Sequence, residues 1–328
     1  MAESVAPITG DPVIEAKGLG HTYKGGHTAL DGVDLALGTG LFGLLGPNGA
    51  GKSTLMRIIC TLLVPTEGTA RVYGYDVTQQ RREVRELIGY LPQEFGAWRH
   101  HRTEEVLDTL ARLSGLSNRK ERRRRVAETL EMVGLDGVAD RKVKKLSGGM
   151  VRRLGVAQAL VHEPQVLIVD EPTVGLDPEE RMRFRQLMNQ LGRDRTILLS
   201  THIVADLGGG CREMALLDGG RVEFQGTPEN LLQRAVGRVF EVSTDAAAAE
   251  RIEGEYEIVS RAVTGTEITL RGVSANGMPD GASPVDEPTL EEAYLAFMAA
   301  RGRSEAARQD DESPAEGGTG GEGAPDPA

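Results

Sequence analysis

The stretch LFGLLGPNGAGKSTLMRIICTLL, residues 41–63, sets a short apolar run, a turn rich in glycine and a helical pattern end to end. Within it Gly46–Ser53, GPNGAGKS, fits the pattern G-x-x-x-x-G-K-[ST]. Glycines let a backbone curl until successive N–H groups point at phosphate oxygens. A helix that opens just after them adds partial positive charge. Lys52 is then expected to reach the β- and γ-phosphates of a nucleotide, and the Ser53 hydroxyl to bind Mg²⁺. An ordinary strand-to-helix turn is the competing reading. The strand pattern before the loop and the helix pattern after it set that reading aside.

Further strand and helix patterns surround this segment. QVLIVD (165–170) and TILLS (196–200) are short runs rich in Leu, Ile and Val, the pattern of strands covered on both faces. GKSTLMRIICTLL and PEERMRFRQLMNQLG read as helices following strands, so residues 13–235 predict a largely parallel α/β sheet. TEEVLDTLARLSG and NRKERRRRVAETLEMVG break the alternation as consecutive helices and predict an inserted helical subdomain at about 94–162. Arg119–Arg125 holds six basic residues among seven. A contact to an acidic partner or a membrane surface is one reading of that run; a solvated helix face is preferred. After GTPENLLQRA the pattern restarts, with strands expected at GRVFEVS and TEITLRGV and helices at AAAAERIE and TLEEAYLAFMAARG. These predict a small α+β accessory domain over 236–300 with no chemical constellation. Residues 1–12 form an N-terminal extension.

Composition narrows the function classes. The formal net charge is −11, which disfavours broad attraction to nucleic acid phosphates. Residues 301–328 place three arginines against seven acidic residues and carry few large apolar groups. That tail is expected to be disordered and solubilising. No run approaches the roughly 18–20 apolar residues of a membrane-spanning helix, and no signal peptide is readable. Cys60 and Cys211 lie far apart without a CxxC or a His-rich neighbour. They read as buried thiols of a reducing compartment, which points to the cytoplasm.

Nucleotide hydrolysis also needs a carboxylate for the metal and a group to orient water. QVLIVDEP offers both at a strand's end: Asp170 suits Mg²⁺, and Glu171 could orient and activate the attacking water. Two further polar residues close strand patterns. Gln93 in GYLPQEFG could face the metal and water, and His202 in LLSTHIVAD could contact a γ-phosphate. Either one alone reads more simply as structural.

Taken in order, these segments resemble the ATP-binding subunit of an ABC transporter over about residues 13–235. The Walker A loop GPNGAGKST is followed by a glutamine loop at Gln93, LSGGM at 146–150, the Walker B strand VLIVDEPT, the D-loop GLDP at 175–178 and a switch histidine at His202. The resemblance implies a P-loop ABC-type ATPase core with the helical insertion and the C-terminal α+β domain. It implies ATP and Mg²⁺ as cofactors. Nucleotide contacts would come from Asn48, Gly49, Gly51, Lys52, Ser53 and Thr54. Tyr23, in LGHTYKGGHTALDGV, matches the aromatic that stacks on adenine. Ser53, Gln93 and Asp170 would hold the metal, with Glu171 and His202 catalytic.

Such subunits pack head to tail around two ATP molecules, so Ser147, Gly148, Gly149 and Asp177 would complete a partner's site in trans. Met150 stands where the family usually has Gln, and Gln158 where it usually has Arg. The resemblance further implies a second copy or a related ATPase subunit, a separate polytopic membrane permease and a place on the inner face of the cell membrane. The single cassette, GYLPQEFG and the ending PTLEEAYLAFM resemble bacterial exporters of drugs, lipids, polysaccharides or peptides. A soluble ABC ATPase acting on ribosomes or DNA is the alternative. It is disfavoured by the single cassette, the uninterrupted core and the acidic charge. A P-loop GTPase lacks the expected N-K-x-D-like motif.

Overall fold

The computed structural model describes residues 12–275 and 277–302. The expected N-terminal extension, apart from Pro12, and the expected acidic tail, apart from Arg301 and Gly302, lie outside the described residues. In chain order the first unit contains β1 (Ile14–Thr22), β2 (Thr28–Leu37), β3 (Gly40–Leu45), α1 (Lys52–Ile59), β4 (Glu67–Val72), β5 (Tyr75–Asp76), α2 (Arg81–Leu87) and β6 (Ile88–Leu91). Then come α3 (Thr103–Leu113), α4 (Arg119–Met132), α5 (Gly148–Leu160), β7 (Val166–Asp170), α6 (Pro178–Leu191), β8 (Thr196–Thr201), β9 (Glu213–Asp218) and β10 (Arg221–Gly226), followed by α7 (Pro228–Ala235), which begins in this unit and runs on past its end. The packing divides the chain between Asn230 and Leu231, inside α7, whereas the sequence pattern restarts after residue 235.

One sheet runs β10-β9-β3-β8-β7-β6, parallel from β9 to β6 with β10 antiparallel at its edge. Every residue of β7 and β8 is buried, as expected of strands covered on both faces. A second sheet, β2-β1-β4-β5, is antiparallel and was not legible as such in the sequence. Its β1 register slips between Ala16 and Leu19 and again on either side of His21, so the period-two alternation is interrupted. A shared core joins the sheets through α1: Leu55, Met56, Ile58 and Ile59 pack with Phe42 and Leu44 from one sheet and Leu19, Leu35 and Val72 from the other. Burying each such side chain contributes about 1.5–3 kcal/mol, which anchors the loop that opens α1.

Side chains define the helix starts in the insertion and beyond. Asn118 caps α4 by accepting the N–H groups of Lys120 (3.0 Å) and Glu121 (3.1 Å). Ser147 caps α5, and Asp177 caps α6 ahead of Pro178. The basic run at the head of α4 is not simply a solvated face. Arg122 and Arg125 are buried. Arg122 Nε donates to Asp108 Oδ1 at 2.8 Å, and its Nη1 reaches the carbonyls of Leu116 and Ser117. Arg125 pairs with Glu128 and Glu163. The other basic residues of the run remain exposed. Burial of two arginines follows from packing α4 against α3 and the following turn, which a single-sequence charge count does not reveal.

The second unit contains β11 (Val239–Thr244), α8 (Ala246–Glu255), β12 (Glu257–Thr264), β13 (Glu267–Val273), β14 (Ser283–Pro284) and α9 (Leu290–Ala299). Its antiparallel sheet, ordered β12-β13-β11-β14, shares a core of Phe240, Val242, Ala249, Ile268 and Leu270. Glu292, buried in α9, closes a capping box with Thr289, accepts Arg271 Nη2 at 3.1 Å and so pairs with that guanidinium. The mixed α/β core, helical insertion and small α+β unit are the fold class the sequence predicts. Both cysteines are buried free thiols, and burial pushes the Cys211 thiol up to about 12.

Candidate functional site

The loop between β3 and α1 is shaped by close approach. A Cβ on Gly46 would lie 2.1 Å from the Leu217 carbonyl oxygen. One on Gly51, whose φ is +104°, would lie 2.3 Å from that of Ala29. Only glycine fits both demands at position 51. The turn opens into a cleft of about 560 Å³ lined by Tyr23, Asn48, Gly49, Gly51, Lys52, Ser53, Thr54, Gln93, Glu171 and His202. Ten of the residues singled out in the sequence thus meet around one space, although they come from five separate segments.

The charged centre of the cleft is a buried lysine. Lys52 Nζ donates to the carbonyls of Gly46 (2.7 Å) and Pro47 (3.0 Å) and lies 3.2 Å from Glu171 Oε1. Burial pulls the Lys52 ammonium below its ordinary value; the carboxylate of Glu171 and, more weakly, that of Asp170 oppose this. The other Glu171 oxygen is 3.3 Å from His202 Nδ1. Glu171 has a φ of +42°, a left-handed conformation that costs a non-glycine residue about 1–2 kcal/mol. Tyr23 Oη and Thr54 Oγ1 are 3.0 Å apart, which ties the aromatic wall to α1.

Asp170 does not line the cleft. It is buried at the end of β7, where it accepts the Ser200 hydroxyl at 2.6 Å. Ser147, Gly148, Gly149 and Asp177 also lie outside the cleft of their own chain. Ser147 and Gly148 are exposed at the head of α5, and the Ser147 hydroxyl accepts the Met150 N–H at 3.2 Å. Gly149 is buried, with Glu180 where a Cβ would stand. Asp177 is exposed and accepts the Glu180 N–H at 2.8 Å.

Sequence reasoning missed several participants. His27 and Val174 line the cleft, and the rings of His27 and Tyr23 lie near parallel at 6.4 Å. Beneath the cleft Asp206 is buried and accepts hydroxyl protons from Thr173 and from Thr201, the latter at 3.0 Å. This carboxylate ties the segment after Glu171 to the segment after His202. Ser200 was quoted as the end of a strand pattern, but its place beside Asp170 depends on the β7–β8 pairing. No residue-type signal announces such pairings.

A phosphate-binding loop, a buried lysine and a carboxylate–histidine pair around one cleft define a nucleotide-hydrolysing site. The sequence model of the family described as ABC transporter matches residues 30–174. An uncharacterized ABC transporter ATP-binding protein, YxlF, of Bacillus subtilis is 39% identical over 65% of this chain and 69% of its own. The Nod factor export ATP-binding protein I of Ralstonia nicotianae is 36% identical over 76% of this chain and 81% of its own. Among solved structures, the dimeric post-hydrolysis ATP-binding cassette MJ0796, bound to ADP and Pi, is 28% identical with a TM-score of 0.59, covering 65% of this chain and 98% of its own. The chain belongs to the ABC transporter ATP-binding proteins. It is an ATP-binding subunit and an ATPase.

Proposed function

We propose that this chain energises a membrane exporter by closing on a second ATPase subunit around ATP and reopening after hydrolysis. The observation that carries the reading is the meeting of Lys52, Glu171 and His202 around the glycine-rich loop. Lys52 and the N–H groups at the head of α1 would bind the phosphates, and Tyr23 would stack on adenine, with Asn48, Gly49, Gly51 and Thr54 completing the contacts. Glu171 would hold and deprotonate the attacking water, and His202 would contact the γ-phosphate. For Glu171 to do so its carboxylate has to leave Lys52, whose ammonium then turns to the phosphates.

Ser53 and Gln93, in the cleft wall, and Asp170, buried beside it at the end of β7, would supply hard oxygen donors that suit Mg²⁺, an ion that takes few protein ligands and keeps several waters, through which Asp170 would act. An ion held there would supply charge neutralisation for the phosphates. Ser147, Gly148, Gly149 and Asp177, exposed or at helix heads away from their own cleft, would face the γ-phosphate side of the partner's site. No helix among the described residues is long and apolar enough to cross a membrane. The reading therefore places the chain at the inner face of the cell membrane on a separate polytopic permease. The Nod factor export relative supports the direction of transport.

Glu171→Gln tests this. The variant should bind MgATP, run as an ATP-dependent dimer and lose hydrolysis by at least about a hundredfold. Tagged and purified from detergent-solubilised host membranes with MgATP, it should bring down a polytopic membrane protein. Ribosomes or DNA-associated proteins without a membrane partner would turn the reading to a soluble ABC ATPase. Hydrolysis like that of the unaltered protein would remove Glu171 from its role.

A further inference from the structure

We infer that Ser200 is a positioning residue of the hydrolytic centre: its hydroxyl fixes the carboxylate of Asp170 and holds the strained backbone of Glu171 in place. The inference rests on the roles proposed above for those two acids.

Ser200 is fully buried near the end of β8, in register with Asp170 on the neighbouring β7. Its Oγ donates to Asp170 Oδ1 at 2.6 Å, the short distance of a charge-assisted bond. The same Oγ accepts the Glu171 N–H at 3.0 Å, and the Ser200 carbonyl shares that N–H at 3.2 Å. A serine hydroxyl has one proton to give and lone pairs to receive, so both capacities are used, one on each acid. Asp170 and Glu171 are neighbours in the chain, and one oxygen on the adjacent strand sets both.

Glu171 needs this support. Its left-handed φ of +42° persists only where surrounding contacts over-determine it. That backbone direction brings the carboxylate between Lys52, at 3.2 Å, and His202, at 3.3 Å. The Glu171 N–H is shared between the Ser200 hydroxyl and the Ser200 carbonyl, so half of the bond that holds this amide is the hydroxyl. The adjacent Thr201 cannot take over, because its hydroxyl is committed to Asp206 at 3.0 Å. Losing the Ser200 hydroxyl should therefore free the Asp170 carboxylate to turn and loosen the peptide that aims Glu171. Groups that orient a ligand or a catalytic side chain from behind in this way change metal affinity or activity by about 10–100-fold.

The test uses the full chain with Ser200→Ala, Ser200→Thr and Ser200→Cys. ATPase kcat and KM are measured alongside thermal unfolding. Mn²⁺ affinity is read by electron paramagnetic resonance with a non-hydrolysable ATP analogue present. Ser200→Ala should lower kcat by about 10–100-fold, leave KM for ATP within about twofold and weaken Mn²⁺ binding by about tenfold. In an Asp170→Asn background, Ser200→Ala should weaken Mn²⁺ binding no further. Ser200→Thr, which keeps the hydroxyl, should recover most of both losses, and Ser200→Cys, a weak donor, should not.

A residue that only packs would shift the unfolding temperature and leave Mn²⁺ affinity and kcat of the folded protein alone. That result, or kcat and Mn²⁺ affinity within about twofold in Ser200→Ala, overturns the inference. Should Ser200→Ala fail to fold, the Thr and Cys variants decide: equal behaviour of the two overturns it. Full hydrolysis by Lys52→Met would strike the reading of the cleft itself, separately from Ser200.

Discussion

Gly51→Ala is the substitution whose cost can be worked most directly from the structure. The new Cβ would stand 2.3 Å from the Ala29 carbonyl oxygen and 2.9 Å from Leu30 Cδ2, where Cβ atoms essentially never come closer than 3.0 Å. The loop or β2 has to yield by about 0.7 Å against backbone, and both are tied to Gly220: its N–H donates to the Ala50 carbonyl at 3.1 Å, and its carbonyl accepts the Asp31 N–H at 2.9 Å. Overpacking of this kind costs about 1–3 kcal/mol. The φ of +104° adds about 1–3 kcal/mol for any residue with a Cβ. The sum is about 2–6 kcal/mol.

Gly49→Ala is the matched comparison, since its φ is +77° and nothing stands within 4 Å of its Cβ position. Only the backbone term applies there, about 1–2 kcal/mol. Urea unfolding should separate the two variants by at least about 1 kcal/mol. Fluorescent ATP binding should weaken by at least about tenfold more in Gly51→Ala, because a sub-ångström shift misplaces the head of α1. Equal destabilisation within about 0.5 kcal/mol would refute the close-approach argument.

Arg122→Ala should cost about 2 kcal/mol by urea unfolding, because it strips Asp108 and two carbonyls of a donor, while Arg124→Ala, at an exposed pair with Glu128, should stay under about 0.5. A loss under about 0.5 kcal/mol in Arg122→Ala as well would return the whole run to a solvated face. Asp206→Ala leaves the hydroxyls of Thr173 and Thr201 without their buried acceptor and should cost about 2–4 kcal/mol by the same assay. The burial of Lys52 makes a pH prediction. Its folded value lies below 10.5, so in the window between the two the unfolded chain binds more protons and stability rises with pH. The stability difference between the unaltered protein and Lys52→Met should therefore grow in favour of lysine as pH climbs toward 10.5; a flat or falling difference contradicts it.

Much of this molecule was readable because its central parts combine local pattern with local chemistry. GPNGAGKS carries its turn residues, its lysine and its helix start in one run, and VLIVD is apolar because both faces of β7 are covered. The antiparallel sheet was hidden because β1 changes register three times against β2 and loses its alternation. β12 was hidden because it is largely exposed and gives little apolar signal. Arg122 read as surface because its partner Asp108 lies 14 residues away on another helix. Ser200 and Asp206 stayed invisible for a similar reason: each is an ordinary polar residue until strand pairing sets it beside an acid or a hydroxyl.

Whether Ser147 completes a site on another subunit, as proposed, is decided by mixing two disabled variants. Lys52→Ala spoils a chain's own phosphate loop, and Ser147→Arg spoils the turn at the head of α5. In a mixed dimer acting in trans, one composite site collects both defects and the other collects neither. Each variant alone should be inactive, and the mixture should regain ATP trapping at one site per dimer. No recovery in a mixture shown to form heterodimers would mean that Ser147 serves its own cleft and not a partner's.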